Sequence, residues 1–556
     1  MSEERMPSDL QIVLPQERIK EMARMGLWPM PLAIDYLDGW AEKAPDRVAV
    51  TGYNSMRGTT STVSYRQLKR CSERIALGLA AHGVEKGDIV SYQLPNWWEF
   101  TALHLACVRI GAITNPVMPI FRQRELSFML GLAESKLLVV PRVFRGFDYP
   151  AMVDSIRPDL PALEHVFVLG GEDEHSFEAT FLERRWEDQG DAGSLFDARR
   201  PDPNDVIEVL YTSGTTGEPK GVMHTSNTLF SNVRALNERI ELGDDDVILM
   251  SSPMAHQTGF LYGMLAPIVL GVKVVLQDIW SAEEAIRLIQ DEGVTFTMAS
   301  TPFLSDVAES AAVDQYDVSG LHTFLTAGAP IPRVLVQKAR ERLDIMVMSA
   351  WGMTENGAIT TTRLQDSEDK ISSTDGIALR DMEVKVVDSD GKPAPTDQEG
   401  LLKARGPGSF VGYLKRADLY GTDDEGWFDT GDLACMDADG YIRISGRAKD
   451  VIIRGGENVP VVEVEELLYR HADIETVAVV AMPDPRLGER GCAFVTLCPG
   501  ASLTFEEMIA HLEALKITKT YLPERLEILE ELPRTPSGKI QKFQLREIAS
   551  RFTNET

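Results

Sequence analysis

From residue 30 to about residue 375, short apolar runs alternate with helix-period segments, and this alternation confines the chain to a small set of α/β folds. Residues 84–96 (VEKGDIVSYQLPN) put a strand-length apolar run after a glycine turn, and residues 97–112 (WWEFTALHLACVRIGA) carry apolar side chains at three-and-four spacing, the period of a helix. KLLVVP (136–141), HVFVLGG (165–171), VIEVLYTSG (206–214), VILMSSP (247–253), VKVVLQ (272–277), VTFTMAS (294–300) and LHTFLTAG (321–328) continue the series. Runs apolar on both faces and separated by helices predict parallel sheets covered by helices.

The texture changes near residue 375. MEVKVVDSDGKPAP (382–395), GLLKARGPG (400–408) and CMDADGYIRISGR (435–447) read as strands joined by Asp-Gly turns, a smaller antiparallel unit. Beyond Gly446 come a helix (461–471), two strands (476–483, 491–500), a helix (505–515) and a tail punctuated by Pro and Gly. The expected architecture is a large N-terminal part over 1–446, divided into 30–205, 206–375 and 376–446, and a small mobile α+β part over 447–556. At 556 residues, three or four such units are the expectation from length.

With 56 basic against 85 acidic residues, the net charge is −29, and such a chain repels polyphosphate backbones. Nucleic acid is therefore disfavoured as a partner, whereas one small anion in a local pocket is not. The N-terminus (MSEERMPSDL) is acidic and unlike a secretion signal. The most apolar stretch, residues 259–276, contains Pro267 and Lys273 and reads as a buried helix running into a buried strand rather than a span. Cys71, Cys107, Cys435, Cys492 and Cys498 form no CxxC pair. Six residues of strand span about 20 Å, too far for a Cys492–Cys498 bridge. Reduced thiols and a cytoplasmic location are expected.

One segment carries the strongest chemical signal. YTSGTTGEPKGV (211–222) follows an apolar strand and packs Thr212, Ser213, Thr215 and Thr216 around Gly214 and Gly217, then adds Lys220. Small hydroxyl residues and glycines let N–H and O–H groups close around phosphate oxygens, and the lysine adds a positive charge. The spacing is not that of a P-loop, because Gly221 rather than Ser or Thr follows the lysine. Elsewhere, Trp351 offers a flat face to a purine, Thr354 a donor to phosphate, and Glu355 a carboxylate suited to Mg²⁺, which takes few carboxylates beside phosphate oxygens. Asp432, in a turn after an aromatic strand, can accept ribose hydroxyls, and Arg447 can reach the same ribose or a phosphate. MDADGY (436–441) reads as a hairpin turn, since the calcium-loop position falls on Ala448. GPGSFVG (406–412) has the wrong glycine spacing for a dinucleotide fingerprint.

Taken together these segments resemble the acyl-adenylate-forming superfamily, which includes acyl-CoA synthetases, peptide-synthetase adenylation domains and beetle luciferases. Residues 211–222, PMAHQTG (253–259), TAGAP (326–330), SAWGMTENG (349–357), GWFDTGD (426–432), GRAKDVIIRGGENVPVVEVE (446–465) and PRTPSGKIQK (533–542) match its signatures in order. Trp351 departs from the family's usual Tyr. The resemblance implies an ATP- and Mg²⁺-dependent acid–CoA ligase: a carboxylic acid becomes acyl-AMP with release of pyrophosphate, and the acyl group then passes to coenzyme A. It implies that Gly328, Ala329, Pro330, Gly352 and Met353 join Trp351 around adenine, that Thr216 joins Glu355 at the metal, and that His256 lines the acyl pocket. It implies that Lys539 is the catalytic lysine, that Lys449 (or Asp450, since some relatives carry Asp) is the hinge, and that Gly455, Gly456 and Glu457 border coenzyme A. Residues 96–130 and 143–152 look like bacterial cyclohexanecarboxylate–CoA ligases, and the 446–465 and 533–542 segments also fit short- and medium-chain acyl-CoA synthetases. The rival readings are an adenylating enzyme that loads a carrier protein and a nucleotide-binding regulator without catalysis.

Overall fold

The computed structural model describes residues 10, 12–28, 31–212, 219–328, 331, 333–448, 451–454, 457–515, 517–535 and 539–552. Two large helix-covered sheets dominate it. One has seven strands, in spatial order Gly412–Tyr413, Lys220–Thr225, Val206–Thr212, Ile113–Pro116, Ile89–Tyr92, Leu137–Pro141 and His165–Leu169. The other has nine, in the order Ile377–Ala378, Gly357–Thr361, Met346–Met353, Thr323–Ala327, Phe296–Ala299, Val247–Met250, Lys273–Gln277, Val48–Asn54 and Thr59–Ser64. Both sheets are parallel through their centres and antiparallel at a margin, the mixed α/β class that the alternating pattern predicts.

The expected division at 205/206 does not follow sheet membership. Val48–Asn54 pairs in parallel with Lys273–Gln277, so the early hairpin completes the nine-stranded sheet. Val206–Thr212 and Lys220–Thr225 complete the seven-stranded one. Apolar period identifies a strand but not its partner, and these exchanges are long-range pairings.

The smaller units agree with the turn signals. Glu383–Val387, Gly400–Arg405, Phe428–Met436 and Ile442–Arg447 form a four-stranded antiparallel sheet. Its 437–441 turn is a hairpin: the Asp437 carboxylate accepts from the backbone N–H groups of Asp439 and Tyr441 and pairs with Lys370. The last sheet builds on the long pair Ile474–Asp484 and Gly488–Leu497, flanked by Ile452–Arg454, Glu457–Val459 and Arg525–Ile528.

Local sequence explains the elements that carry the site. Thr225 caps the helix Ser226–Arg239 by accepting from the Thr228 N–H, satisfying one of the donors a helix start leaves open. That helix and Trp98–Arg109 are buried along almost their whole length, so that even polar side chains such as Asn232, Asn237 and His104 lie inside. Residues 259–270 are indeed a buried helical turn and helix leading into the strand Lys273–Gln277. One continuous core joins Tyr92 and Phe100 to Phe260 and Met348 of the other sheet. Each buried ring contributes about 2–3 kcal/mol, so the two sheets are held as one body. All five cysteines are free, Cys107 and Cys492 fully buried and the others half-buried. No helix among the described residues is long and apolar enough to cross a membrane.

Candidate active site

The site lies where loops from both large sheets, the antiparallel unit and the C-terminal segment meet. Strands Val206–Thr212 and Lys220–Thr225 run antiparallel with Lys220 opposite Thr212, which brings the two ends of the hydroxyl- and glycine-rich loop together. Ser213, Gly214, Thr215, Thr216 and Gly217 lie outside the described residues, as do Ala329, Pro330, Lys449, Gly455 and Gly456. Glu457 is placed only through its backbone, at the start of strand Glu457–Val459.

Thr354 and Glu355 sit in the turn between Met346–Met353 and Gly357–Thr361, with the Asn356 N–H donating to the Met353 carbonyl. Trp351, Gly352 and Met353 precede that turn on its strand. His224 reaches the turn from the strand after the phosphate loop: its Nε2–H donates to the Thr354 carbonyl at 2.8 Å. Burial lowers this imidazole to about 4, so it stays neutral and its proton stays on the donating nitrogen. Glu355 is only 6% exposed, and its Oε1 accepts from the Tyr413 hydroxyl at 2.7 Å. Among the described residues no group of three or more His, Cys, Asp or Glu side chains gathers as a metal site. A single carboxylate is what a magnesium ion held mainly by phosphate oxygens requires, so the donor set fits.

Asp432 and Arg447 face each other across Phe428–Met436 and Ile442–Arg447. Arg447 Nε lies 3.1 Å from Asp432 Oδ1, and the Trp351 indole N–H donates to Oδ2 at 3.0 Å. Burial raises the Asp432 carboxyl above its usual range, with Arg447 and the indole opposing. The flat face of Trp351 was the sequence expectation; the edge N–H that fixes Asp432 is an addition the sequence did not announce.

Lys539 arrives from the far end of the chain. A hairpin bridge between Arg534 and Ile540, closed by the Thr535 N–H to the Lys539 carbonyl at 2.6 Å, aims it inward. The side chain lies against Gly328: a Cβ there would sit 2.7 Å from Lys539 Cε and 3.4 Å from Nζ, and Gly328 has φ +89°. Only glycine suits both the space and the backbone. Burial and the Arg447 charge lower the Lys539 ammonium below the usual lysine range, while Asp432 and Glu355 pull it back up. Burial, then the Lys539 charge, lowers His256 to about 4. His256 heads a tight turn, its N–H on the Pro253 carbonyl, and its Nδ1 accepts from the Thr258 N–H at 3.3 Å. Thus Lys539, His256, Gly328, Asp432, Arg447, Trp351 and Glu355, drawn from six separate stretches of sequence, share one locus.

The match to family models spans the chain in two parts: the AMP-binding enzyme family covers residues 37–414 and its C-terminal domain covers 463–539. The chain belongs to the AMP-binding enzyme family. The enzyme is 36% identical over 544 residues to the medium-chain fatty-acid–CoA ligase of Escherichia coli K12, covering 97% of this chain and 94% of that one. It is 33% identical over 542 residues to a salicylyl-CoA synthase/salicylate adenylyltransferase of a Streptomyces species, covering 96% of each. The crystal structure of the anthranilate CoA ligase AuaEII with anthranoyl-AMP superposes with a TM-score of 0.83, at 24% identity, over 94% of this chain and 98% of that one. The enzyme is an acyl-CoA synthetase, an ATP-dependent acid–thiol ligase working through an acyl-adenylate.

Tyr413 and His224 are the residues that sequence reading missed. Each lies just past a segment already singled out (211–222 and 406–412), and its contact to the 354–355 turn is one that no local pattern reveals.

Proposed function

We propose that the enzyme activates a short- or medium-chain or alicyclic carboxylic acid and that the residues gathered around Lys539 perform the first of its two half-reactions. The observation that carries this reading is the position of Lys539 over Gly328, in the electrostatic reach of Asp432, Glu355 and His256. The acid carboxylate attacks the α-phosphorus of ATP in line, one carboxylate oxygen forms the new P–O bond, and pyrophosphate leaves with the electron pair of the broken bond. Two anions must meet, so positive charge at this locus lowers the barrier. Lys539 and Lys220 supply it from opposite ends of the phosphate chain. Asp432 accepts the ribose hydroxyls and is kept in place by Arg447 and the Trp351 N–H. His256, neutral at physiological pH, orients the carboxylate without adding charge. Glu355, with Thr216, would hold Mg²⁺, which neutralises phosphate oxygens when bound.

In the second half-reaction the coenzyme A thiol attacks the acyl carbonyl and AMP leaves. With Lys539 seated on Gly328, that approach is obstructed, so the C-terminal part turns about Lys449 between the halves, bringing Gly455, Gly456 and Glu457 toward coenzyme A. The alicyclic preference rests on the resemblance of residues 96–130 and 143–152, and the short- or medium-chain preference on that of residues 446–465 and 533–542 and on the E. coli relative.

The chemistry is tested with octanoate labelled in both carboxylate oxygens with ¹⁸O, together with ATP and coenzyme A. The proposal requires AMP carrying one ¹⁸O atom, and unlabelled pyrophosphate. Label in inorganic phosphate, with ADP as co-product, would refute it.

A further inference from the structure

The segment 406–412 (GPGSFVG) was excluded above as a dinucleotide fingerprint, yet it and the Tyr413–Leu414 that follow it lie against the 354–355 turn and the strand beside it. The Phe410 N–H donates to the Glu355 backbone carbonyl at 2.7 Å, and the Tyr413 hydroxyl donates to the Glu355 side-chain Oε1 at 2.7 Å. The same segment is stitched to the strand that leaves the phosphate loop. Val222 pairs with Tyr413, the Leu414 N–H donates to the Gly221 carbonyl at 2.8 Å, and the Val411 N–H donates to the Met223 carbonyl at 3.0 Å. Gly408 permits the close approach, since a Cβ there would lie 3.2 Å from the Asn356 carbonyl oxygen. The Lys220 ammonium sits 4.6 Å from the centroid of the Tyr413 ring, over its face. The Phe410 ring packs against the Tyr413 ring at 4.8 Å between centroids, and Phe410 in turn contacts Tyr420 and Phe428 in the same buried cluster.

One side chain therefore touches both the carboxylate assigned to the metal and the lysine assigned to the phosphates. We propose that Tyr413 is a positioning residue for adenylation: its hydroxyl sets the Glu355 carboxylate for the divalent cation of the metal–nucleotide complex, and its ring sets the Lys220 ammonium for the phosphates. This rests on the reading of Glu355 as the metal carboxylate. The bond to Tyr413 occupies one carboxylate oxygen and leaves the other to face the cation, so the carboxylate is oriented before nucleotide arrives.

The test measures Mn²⁺ binding by electron paramagnetic resonance on the full-length protein with a non-hydrolysable ATP analogue, without turnover. Tyr413→Phe keeps the ring over Lys220 and deletes only the hydroxyl. It should weaken Mn²⁺ about tenfold or more, the loss of one hydrogen bond to a charged group. The Mg²⁺ concentration for half-maximal pyrophosphate exchange should rise by the same factor. Glu355→Gln should also weaken Mn²⁺, and adding Tyr413→Phe to Glu355→Gln should change it no further. Tyr413→Leu, which removes the ring as well, should further raise KM for ATP. Unchanged Mn²⁺ affinity in Tyr413→Phe overturns the proposal while leaving Glu355 intact, and so does a drop in thermal midpoint and kcat without a shift in Mn²⁺ affinity. An equal effect of Tyr413→Phe in the wild-type and Glu355→Gln backgrounds overturns it too. Unchanged affinity in Glu355→Gln overturns the metal reading itself, and this proposal with it.

Discussion

Gly328→Ala isolates the contribution of Lys539 without touching the lysine. The new Cβ would lie 2.7 Å from Lys539 Cε, where carbon atoms at rest sit about 3.5–4.0 Å apart. The neighbour is the far end of a flexible side chain, so the protein relieves the clash by moving the lysine about 1 Å rather than by unfolding. A displacement of about 1 Å in a reacting constellation costs on the order of 10²-fold in rate, about 2.7 kcal/mol. Alanine at φ +89° adds about 1–2 kcal/mol of backbone strain, seen as a thermal midpoint lowered by a few degrees. Adenylation is assayed as acid-dependent ATP–pyrophosphate exchange, and thioester formation separately from supplied acyl-AMP and coenzyme A, both well below the midpoint. The expected result is a roughly 10²-fold loss in exchange with a much smaller loss in thioester formation. Equal losses in both halves would refute the reasoning, because Lys539 would then not be the group that Gly328 accommodates for the first step.

Further outcomes follow from the same geometry. Glu355→Gln should slow adenylation about 10²–10³-fold, as loss of one transition-state charge contact does; near-normal exchange at limiting Mg²⁺ would remove Glu355 from the metal. Lys449→Pro, which fixes φ and removes an N–H, should preserve adenylation and abolish thioester formation; full turnover would place the hinge elsewhere. The lowered Lys539 pKa means that its cation is lost earlier as pH rises, so adenylation should fall on an alkaline limb below the usual lysine range, whereas thioester formation should not share that limb. His256, already neutral above about pH 4, should give no limb between pH 6 and 7 in either profile. In a chain-length series, C6 to C8 and alicyclic acids should have higher kcat/KM than C16, and a C16 optimum would overturn the proposed substrate class.

What the sequence made legible was whatever depends on local period or on a contiguous motif. The buried helix Trp98–Arg109, the hairpin at 437–441 and the run from 259 to 276 all follow from spacing and turn chemistry. Asp432 and Arg447 were each readable in their motifs, and the structure pairs them across a hairpin. The pairing of Val48–Asn54 with Lys273–Gln277 was not readable, because both strands are apolar and either sheet would bury them. The link of Tyr413 to Glu355 was hidden for a related reason: it joins residues 58 apart, and a tyrosine after Val-Gly looks like any turn-flanking aromatic. Trp351 shows a middle case, where the aromatic type suggested a stacking face but only the three-dimensional position of Asp432 gives its N–H a partner.

Lys539→Ala tests the central claim most directly, by separating the two half-reactions in one protein. Lys539 is placed against Gly328, beside His256 and the Asp432–Arg447 pair, and the proposed mechanism puts the meeting of carboxylate and α-phosphate there. Purified variant is assayed for acid-dependent pyrophosphate exchange and, independently, for conversion of purified acyl-AMP and coenzyme A to thioester. The predicted result is an exchange rate reduced at least 10²-fold with thioester formation close to that of the unmodified enzyme. Equal impairment of both halves, or exchange at the unmodified rate, would contradict the account.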